Sequence, residues 1–307
     1  MRRVIFGMIN NQSRPVGGIK VIFQAAGGLR RAGIEACIFS EKEMPNWLAG
    51  NPLAADADIL DASKMQSIFS TDLYVATDSF NKGRGDTILG RGNRAIIFFQ
   101  NHSVLHTNKA INWADFRDTP SIAVSHFTAA QLTKVGFKDV TVISPGIDRE
   151  LFKPAARKAH QICFMPRKWP EMTAVLQQRF GQQAKLREID GQTEAEVAEI
   201  LSTSTIFVSL GRNEGLGLPP LEAMSAGCLV CGFAGQGTLD YARPENGFWT
   251  REGDIEGCLE AIDKALKTVT EDQETYQKKL TAGLQTAANY SLEGFIENIT
   301  GYMQSRL

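Results

Sequence analysis

"TIFVSLGRNEGLGLPPLEAMSAG", residues 205–227, decides how this chain is read. "TIFVSL" is a short β-rich apolar run, the signature of a buried strand. "GRNEGLG" follows with three glycines in seven residues, which makes it a loop. Pro219 and Pro220 suit the first turn of a helix, where their missing N–H groups are not needed. "LEAMSAG" continues that helix, and Gly227 suits its C-cap. Strand, loop and helix in this order form the repeating unit of α/β proteins with a parallel sheet. Glu214 is expected in the loop at the strand's carboxyl end, and Glu222 in the first turn of the helix. The interval between them is E-x7-E.

The same alternation runs outward in both directions. Toward the N-terminus, "RRVIFGMI" reads as a strand, "NNQSRPVGG" as a loop and "IKVIFQAAGGLRRAG" as a helix closed by Gly33. "IEACIFS", "TDLYVATD", "RAIIFFQN", "SIAVS" and "VTVISPG" read as further strands. Ser125 is a predicted N-cap for the helix "HFTAAQLTKVG", which Gly136 closes. The polar stretch "PGIDRELFKPAARKAHQ" interrupts the pattern and is read as the linker. Beyond it come "QICFMP", "PEMTAVLQQRF", "AKLREID" and "EAEVAEILST", then the opening stretch and "CLVCGF". Two Rossmann-like parallel-sheet domains are expected, 1–152 and 153–289, facing each other across a cleft. Ligands in such sheets bind outside the carboxyl ends of the strands.

Composition narrows the function classes. A chain of 307 residues with 43% hydrophobic and 22% charged residues is an ordinary globular protein. Its net charge of −1 gives no reason to expect nucleic acid. Lys82, Arg84, Arg91 and Arg94 crowd one Gly-rich stretch, read as a solvated turn or a weak contact to an anionic or membrane-bound acceptor. Five irregularly spaced cysteines fit reduced thiols. Cys228 and Cys231 form C-x-x-C inside an apolar run. Positions three apart on a strand face opposite ways, so core packing is expected over zinc or redox chemistry. The first apolar run breaks at Asn10-Asn11, too short for a signal peptide, and no run reaches the roughly 18 apolar residues of a membrane span. The expectation is a cytoplasmic chain, in places peripheral at the inner membrane face.

The paired glutamates carry the chemistry. Ionised carboxylates only accept hydrogen bonds, so their natural ligand partners are hydroxyls, of which a sugar and a ribose offer many. Gly215 and Gly217 allow close approach of the backbone, and a helix N-terminus favours an anion such as phosphate. The alternative is a surface loop residue at Glu214 and a helix-dipole residue at Glu222. Residue physics leaves both open.

"EGLGLPPLEAMSAG" closely resembles the nucleotide-sugar motif of retaining glycosyltransferases with the GT-B fold, family 4 (group 1 type). "PVGGIKV" is similar to that family's N-terminal Gly-rich loop, and "IAVSHFTAAQLTKVGFKDVTVISPGIDRELFKP" to its interdomain passage. "EAEVAEILSTSTIFVSLGRNEGLG" resembles the approach to the donor motif, and "ENGFW" with "YSLEGFIENITGYM" its closing segments. The resemblance implies a hexosyl-type transfer from a nucleoside diphosphate sugar to a saccharide, lipid-linked or small-molecule hydroxyl. Glu222 would accept from the ribose hydroxyls. Glu214, with the backbone of Gly215, Leu216, Gly217 and Leu218, would hold the transferred sugar. Arg167 and Lys168 would neutralise the diphosphate, Gly17 and Gly18 would close over the donor, and His102 would reach its sugar, with His106 a rival. The C-terminal helix at about 290–307 would pack back on the first domain.

No cofactor and no metal are expected, since no D-x-D stands at a cleft position and the family works without one. His126 and His160 receive no role. One departure is visible: the family separates its Arg and Lys, whereas Arg167 and Lys168 are adjacent. Strand neighbours face opposite ways, so one of the two misses the diphosphate unless the chain turns at Pro166. Arg167 is favoured, because its planar fork suits phosphate. The rival readings are a nucleotide-sugar epimerase, a sucrose-type synthase and a non-catalytic GT-B subunit. A dinucleotide-dependent dehydrogenase is more distant, because no G-x-G-x-x-G follows the first strand.

Overall fold

The computed structural model describes residues 2–7, 15–61, 63, 68–77 and 94–307. Lys82, Arg84 and Arg91 lie outside the described residues. The chain divides into two units, Met1–Ser144 with Glu293–Leu307, and Pro145–Leu292.

The first unit carries β1 (Val4–Gly7), α1 (Gly17–Arg31), β2 (Ala36–Ser40), β3 (Asp58–Asp61), β4 (Leu73–Thr77), β5 (Arg94–Phe99), β6 (Ser121–Ala123), α2 (His126–Lys134) and β7 (Val140–Val142). Its seven strands are all parallel, in the order β3-β2-β1-β4-β5-β6-β7. The order reverses between β1 and β4, which is the topological switch point of a doubly wound sheet. Strands β1, β2 and β4 are buried throughout, as expected for a parallel sheet covered on both faces. Helix α1 ends on Gly33 at φ +80°, with Gly33 N–H donating to Arg30 O at 3.0 Å and Ile34 N–H to Leu29 O at 2.9 Å. Those bonds satisfy carbonyls that the last turn leaves open. Ser125 caps α2 by accepting from Thr128 N–H at 3.0 Å, and Gly136 closes it at φ +98°.

The second unit carries β8 (Ala159–Phe164), α3 (Glu171–Phe180), β9 (Lys185–Glu188), α4 (Glu194–Thr203), β10 (Ser204–Leu210), α5 (Leu218–Ser225), β11 (Leu229–Ala234), β12 (Gly247–Arg251), α6 (Ile255–Glu271) and α7 (Gln273–Ala288). The strand order is β12-β11-β10-β8-β9, again all parallel, with the switch point between β8 and β10. Phe164, Phe180 and Phe233 belong to one core with Met172, Leu176, Ile206 and Ile262. Helix α8 (Leu292–Arg306) follows α7, and its residues from Glu293 on belong to the first unit. It lies so close to α1 that a Cβ on Gly28 would come within 2.4 Å of Ile296 Cδ1. Arg306 also pairs with Asp139 at 2.8 Å.

Several local expectations change. β3 and β12 are edge strands without a fully apolar run, and β3 is partly exposed at every position, so neither carried the strand signal. His160 stands on β8 rather than in a linker. Arg94 opens β5, and its guanidinium donates to the carbonyls of Arg306 and Leu307. Cys231 sits on β11 in the core, whereas Cys228 precedes the strand and donates to the carbonyls of Leu201 and Ser204. All five cysteines are free and buried. Among the described residues, no helix is long and apolar enough to cross a membrane.

Candidate functional site

Three loops of the second unit meet at the carboxyl edge of its sheet. They leave β8 at Met165, β10 at Gly211 and β11 at Gly235, and so flank the switch point between β8 and β10. A recess opens there, lined by Met165, Arg167, Lys168, Ser209, Gly211, Glu214, Pro219, Pro220 and Thr238.

The chain does turn at Pro166. Residues Pro166–Lys168 form a 3-10 turn, entered from Met165 in an extended conformation. The turn breaks the strand alternation, and both Arg167 and Lys168 reach the recess. The Lys168 ammonium lies 2.7 Å from Glu214 Oε1 and donates to Arg212 O at 2.9 Å. Both partners of the pair are partly shielded, with side-chain exposures of 27% and 19%. The pair thus sits between the dielectric limits of water and a dry interior. Arg167 is exposed.

The loop that carries Glu214 is held from several sides. Asn213 adopts φ +49°, the one non-glycine residue with positive φ among the described residues, and its N–H donates to Glu252 Oε2 at 3.0 Å. Glu214 O accepts from Gly237 N–H at 2.9 Å and Leu216 O from Thr238 Oγ1 at 3.2 Å. Gly217 O accepts from the Tyr241 hydroxyl. Burial pushes the Tyr241 phenol well above its ordinary value, so it stays a protonated donor. Gly217 is the N-cap of α5 at φ +91°, a conformation that favours glycine. There is no room for a side chain either, since a Cβ would lie 2.5 Å from Thr238 Oγ1.

Pro219 and Pro220 occupy the first turn of α5, as their chemistry dictates. Glu222 does not. Because the helix already begins at Leu218, Glu222 is its fifth residue and falls in the second turn. It is buried, with 5% exposure, as are Gly215, Leu216 and Gly217, while Leu218 is partly buried. Helix α5 ends on Gly227 at φ +75°. There the Lys158 ammonium donates to Ala226 O at 2.7 Å, Ser204 O at 2.8 Å and Leu201 O at 3.2 Å. A cation at a helix C-terminus opposes the dipole favourably.

The remaining candidates belong to the first unit. Gly17 and Gly18 are not loop residues; they are the first two residues of α1. Gly18 O accepts from Gln100 Nε2 at 2.9 Å, and a Cβ on Gly18 would come within 2.3 Å of Gln100 Oε1. This glycine is therefore matched to the end of β5 rather than kept for mobility. His102 and His106 differ in burial. His102 is buried, 7% exposed, with its ring 4.9 Å from that of Phe127, whereas His106 is exposed on the helical turn Val104–Thr107. His126 is exposed at the start of α2. Among the described residues, no group of three or more His, Cys, Asp or Glu side chains could hold a metal.

Sequence reasoning missed Ser209, Thr238, Tyr241 and Glu252. For Thr238 and Tyr241 a signal existed: "GQGTLDY" places two glycines directly after β11, "LVCGFA", a second Gly loop at the same sheet edge.

Known proteins resemble parts of this sequence and share its fold. A family model described as glycosyl transferases group 1 matches residues 171–280, which include both glutamates. An alpha-1,6-glucosyltransferase of Actinobacillus pleuropneumoniae serotype 7 (strain AP76) is 33% identical over 157 residues. That match covers 47% of this chain and 47% of the relative, so the chain spans about half the length of the curated relative it matches. Among solved structures, Anabaena HepE in complex with UDP-glucose aligns with a TM-score of 0.77 at 13% identity, over 99% of this chain and 100% of that one. Sucrose-phosphate synthase from Thermosynechococcus elongatus aligns with a TM-score of 0.76 at 14% identity, over 99% of each chain. At such identities the likeness concerns the fold alone, and with the two parallel α/β sheets it identifies the chain as a GT-B fold protein.

Proposed function

We propose that the chain is a retaining glycosyltransferase that moves a hexosyl-type sugar from a nucleoside diphosphate sugar to a hydroxyl acceptor. The observation that carries this reading is the recess at the switch point of the second sheet. It combines two cations, Arg167 and Lys168, with the carboxylate of Glu214, directly before a helix N-terminus. The cations suit the diphosphate, whose negative charge grows as the glycosidic bond breaks; fixed positive charge there stabilises the transition state. Glu214 accepts from hydroxyls of the sugar, with the backbone of Gly215 to Leu218 around it. Glu222, buried in α5, accepts from the ribose.

Retention without a protein nucleophile follows if the departing phosphate oxygen takes the proton of the acceptor hydroxyl on the same face. Both glutamates are then committed to binding, unlike the acid and nucleophile pair of a glycosidase. No metal or other cofactor takes part. The acceptor is a saccharide, a lipid-linked saccharide or a small-molecule glycoside, reached from the cytoplasm or the inner membrane face. The partial relative is named for forming an alpha-1,6-glucosyl linkage, and HepE was solved with UDP-glucose, so UDP-glucose is the first donor to test.

The test is a thermal-shift panel of UDP, GDP, ADP, TDP and their glucose conjugates, followed by nucleotide release with the best donor. A ligand at a hundred times its Kd stabilises by about 2.7 kcal/mol. For a unit of this size that is a Tm rise of roughly 5–10 °C. Glu222→Ala should abolish most of the rise. No shift with any nucleotide, and no release, would refute the reading.

A further inference from the structure

We infer that Glu252 is a positioning residue for sugar recognition, acting through the backbone of Asn213 on the side chain of Glu214. The inference rests on the nucleotide-sugar reading and extends it to a residue remote in the chain. Glu252 follows β12, at the far edge of the five-stranded sheet. Its carboxylate nonetheless accepts from Asn213 N–H at 3.0 Å, the residue immediately before Glu214.

The turn that Glu252 holds is an unusual one. Asn213 is the one non-glycine described residue at positive φ, and that conformation costs any L-residue free energy, least for Asn, Asp and Gly. A residue kept there needs an external contact that over-determines it. Glu252 supplies this with a charged acceptor, which makes a stronger bond than a neutral one. On the other side of the turn, Lys168 donates to Arg212 O at 2.9 Å and pairs with Glu214 at 2.7 Å. Gly237 N–H fixes the Glu214 carbonyl at 2.9 Å. The Glu214 carboxylate is therefore aimed by contacts from three residues, and Glu252 holds the left-handed turn. Loss of that contact lets Asn213 relax toward negative φ and swings Glu214 out of the recess. Of the two cations that meet the diphosphate, Lys168 is tied to this turn through Arg212 O and Glu214, so diphosphate recognition weakens with it, but less than sugar recognition does.

The experiment compares Glu252→Ala, Glu252→Gln and the wild type by titration with UDP-glucose and with UDP alone, together with the KM and kcat for UDP-glucose turnover. Loss of one charge-assisted hydrogen bond at the turn should weaken UDP-glucose about tenfold and raise KM accordingly. UDP affinity should fall less, by no more than about threefold, because Lys168 is coupled to the turn but Glu252 meets no phosphate. Glu252→Gln keeps an acceptor oxygen and should recover most of the loss. Asn213→Val, which cannot hold a left-handed turn, should reproduce the Glu252→Ala pattern from the other partner, independent of any folding defect peculiar to Glu252. Equal weakening of UDP and UDP-glucose, or no change in either, overturns the inference while the donor reading stands. If UDP and UDP-glucose do not bind the wild type, the titrations use the best donor of the thermal-shift panel and its nucleoside diphosphate. A wild type that binds none of the panel removes the donor reading and the inference with it.

Discussion

Gly237→Ala is a stringent test of how the donor loop is held. A Cβ at Gly237 would lie 1.9 Å from Gly215 O, 2.3 Å from Gly215 C and 2.8 Å from Glu214 O. All three are backbone atoms, so no flexible side chain can swing away. Restoring an ordinary contact of about 3.4 Å to Gly215 O demands a relative shift of about 1.5 Å. That shift acts on the two residues the site depends on, and it stretches the Gly237 N–H to Glu214 O bond. Overpacking of this kind costs about 1–3 kcal/mol of stability. A misplacement of the order of 1 Å costs about a hundredfold in catalysis. A hundredfold loss is about 2.7 kcal/mol, comparable with the stability cost, so activity should fall about a hundredfold while the protein stays folded. The assay pairs kcat/KM for nucleotide release from UDP-glucose with urea unfolding at constant m-value. A variant that keeps both the wild-type kcat/KM and the wild-type midpoint would refute the claim that the loop after β11 clamps Glu214 and Gly215.

Gly301 stands inside α8, exposed, with nothing within 4 Å of an added Cβ; Gly301→Ala should stabilise by about 0.5–1 kcal/mol, read as a raised Tm. Lys158→Met removes the donor shared by the carbonyls of Leu201, Ser204 and Ala226, and should cost about 1–3 kcal/mol in urea unfolding. Cys37 and Cys258 should resist alkylation at pH 8 until denaturant is added, because burial raises them to about 11 and about 12. The same shifts make stability fall at alkaline pH. These two thiols keep their protons in the folded protein while the unfolded chain loses them from about pH 8.5 upward. Their contribution to stability is full below that pH and declines as pH rises toward 11 and 12. A denaturation midpoint that holds constant from pH 8 to pH 10.5 would contradict this.

Much of the fold is legible because parallel strands buried on both faces read as continuous apolar runs. "VIFG", "LYVAT" and "STIFVSL" are such runs, and each is buried throughout. Helix ends were legible where a single residue suffices. Ser125 caps α2, while Gly33, Gly136 and Gly227 sit at positive φ. The edge strand "DILD" was not, since it carries charge at both ends and half-exposed residues between. Of the candidate site, residue types and their order could be read, but not their aim. Glu222 shifts from the first to the second turn because Leu218, rather than Pro219, begins the helix. Gly17 and Gly18 look like a loop by composition, yet Gln100 holds Gly18 in the first turn of α1.

By itself, then, the sequence determined what short-range physics controls. It set the alternation of strand, loop and helix, the capped ends, and the prolines that start a helix between the two glutamates. Those features depend on dihedral preferences and on hydrogen bonds spanning a few residues. Only the tertiary structure decided the strand order that puts the switch point between β8 and β10. It also decided the turn at Pro166 that brings Arg167 and Lys168 to one recess, and the pairing of Lys168 with Glu214 across 46 positions. The contact of Glu252 with Asn213, |i−j| = 39, is of the same kind. Such contacts depend on which strands lie side by side once the core has packed, and no local propensity encodes that.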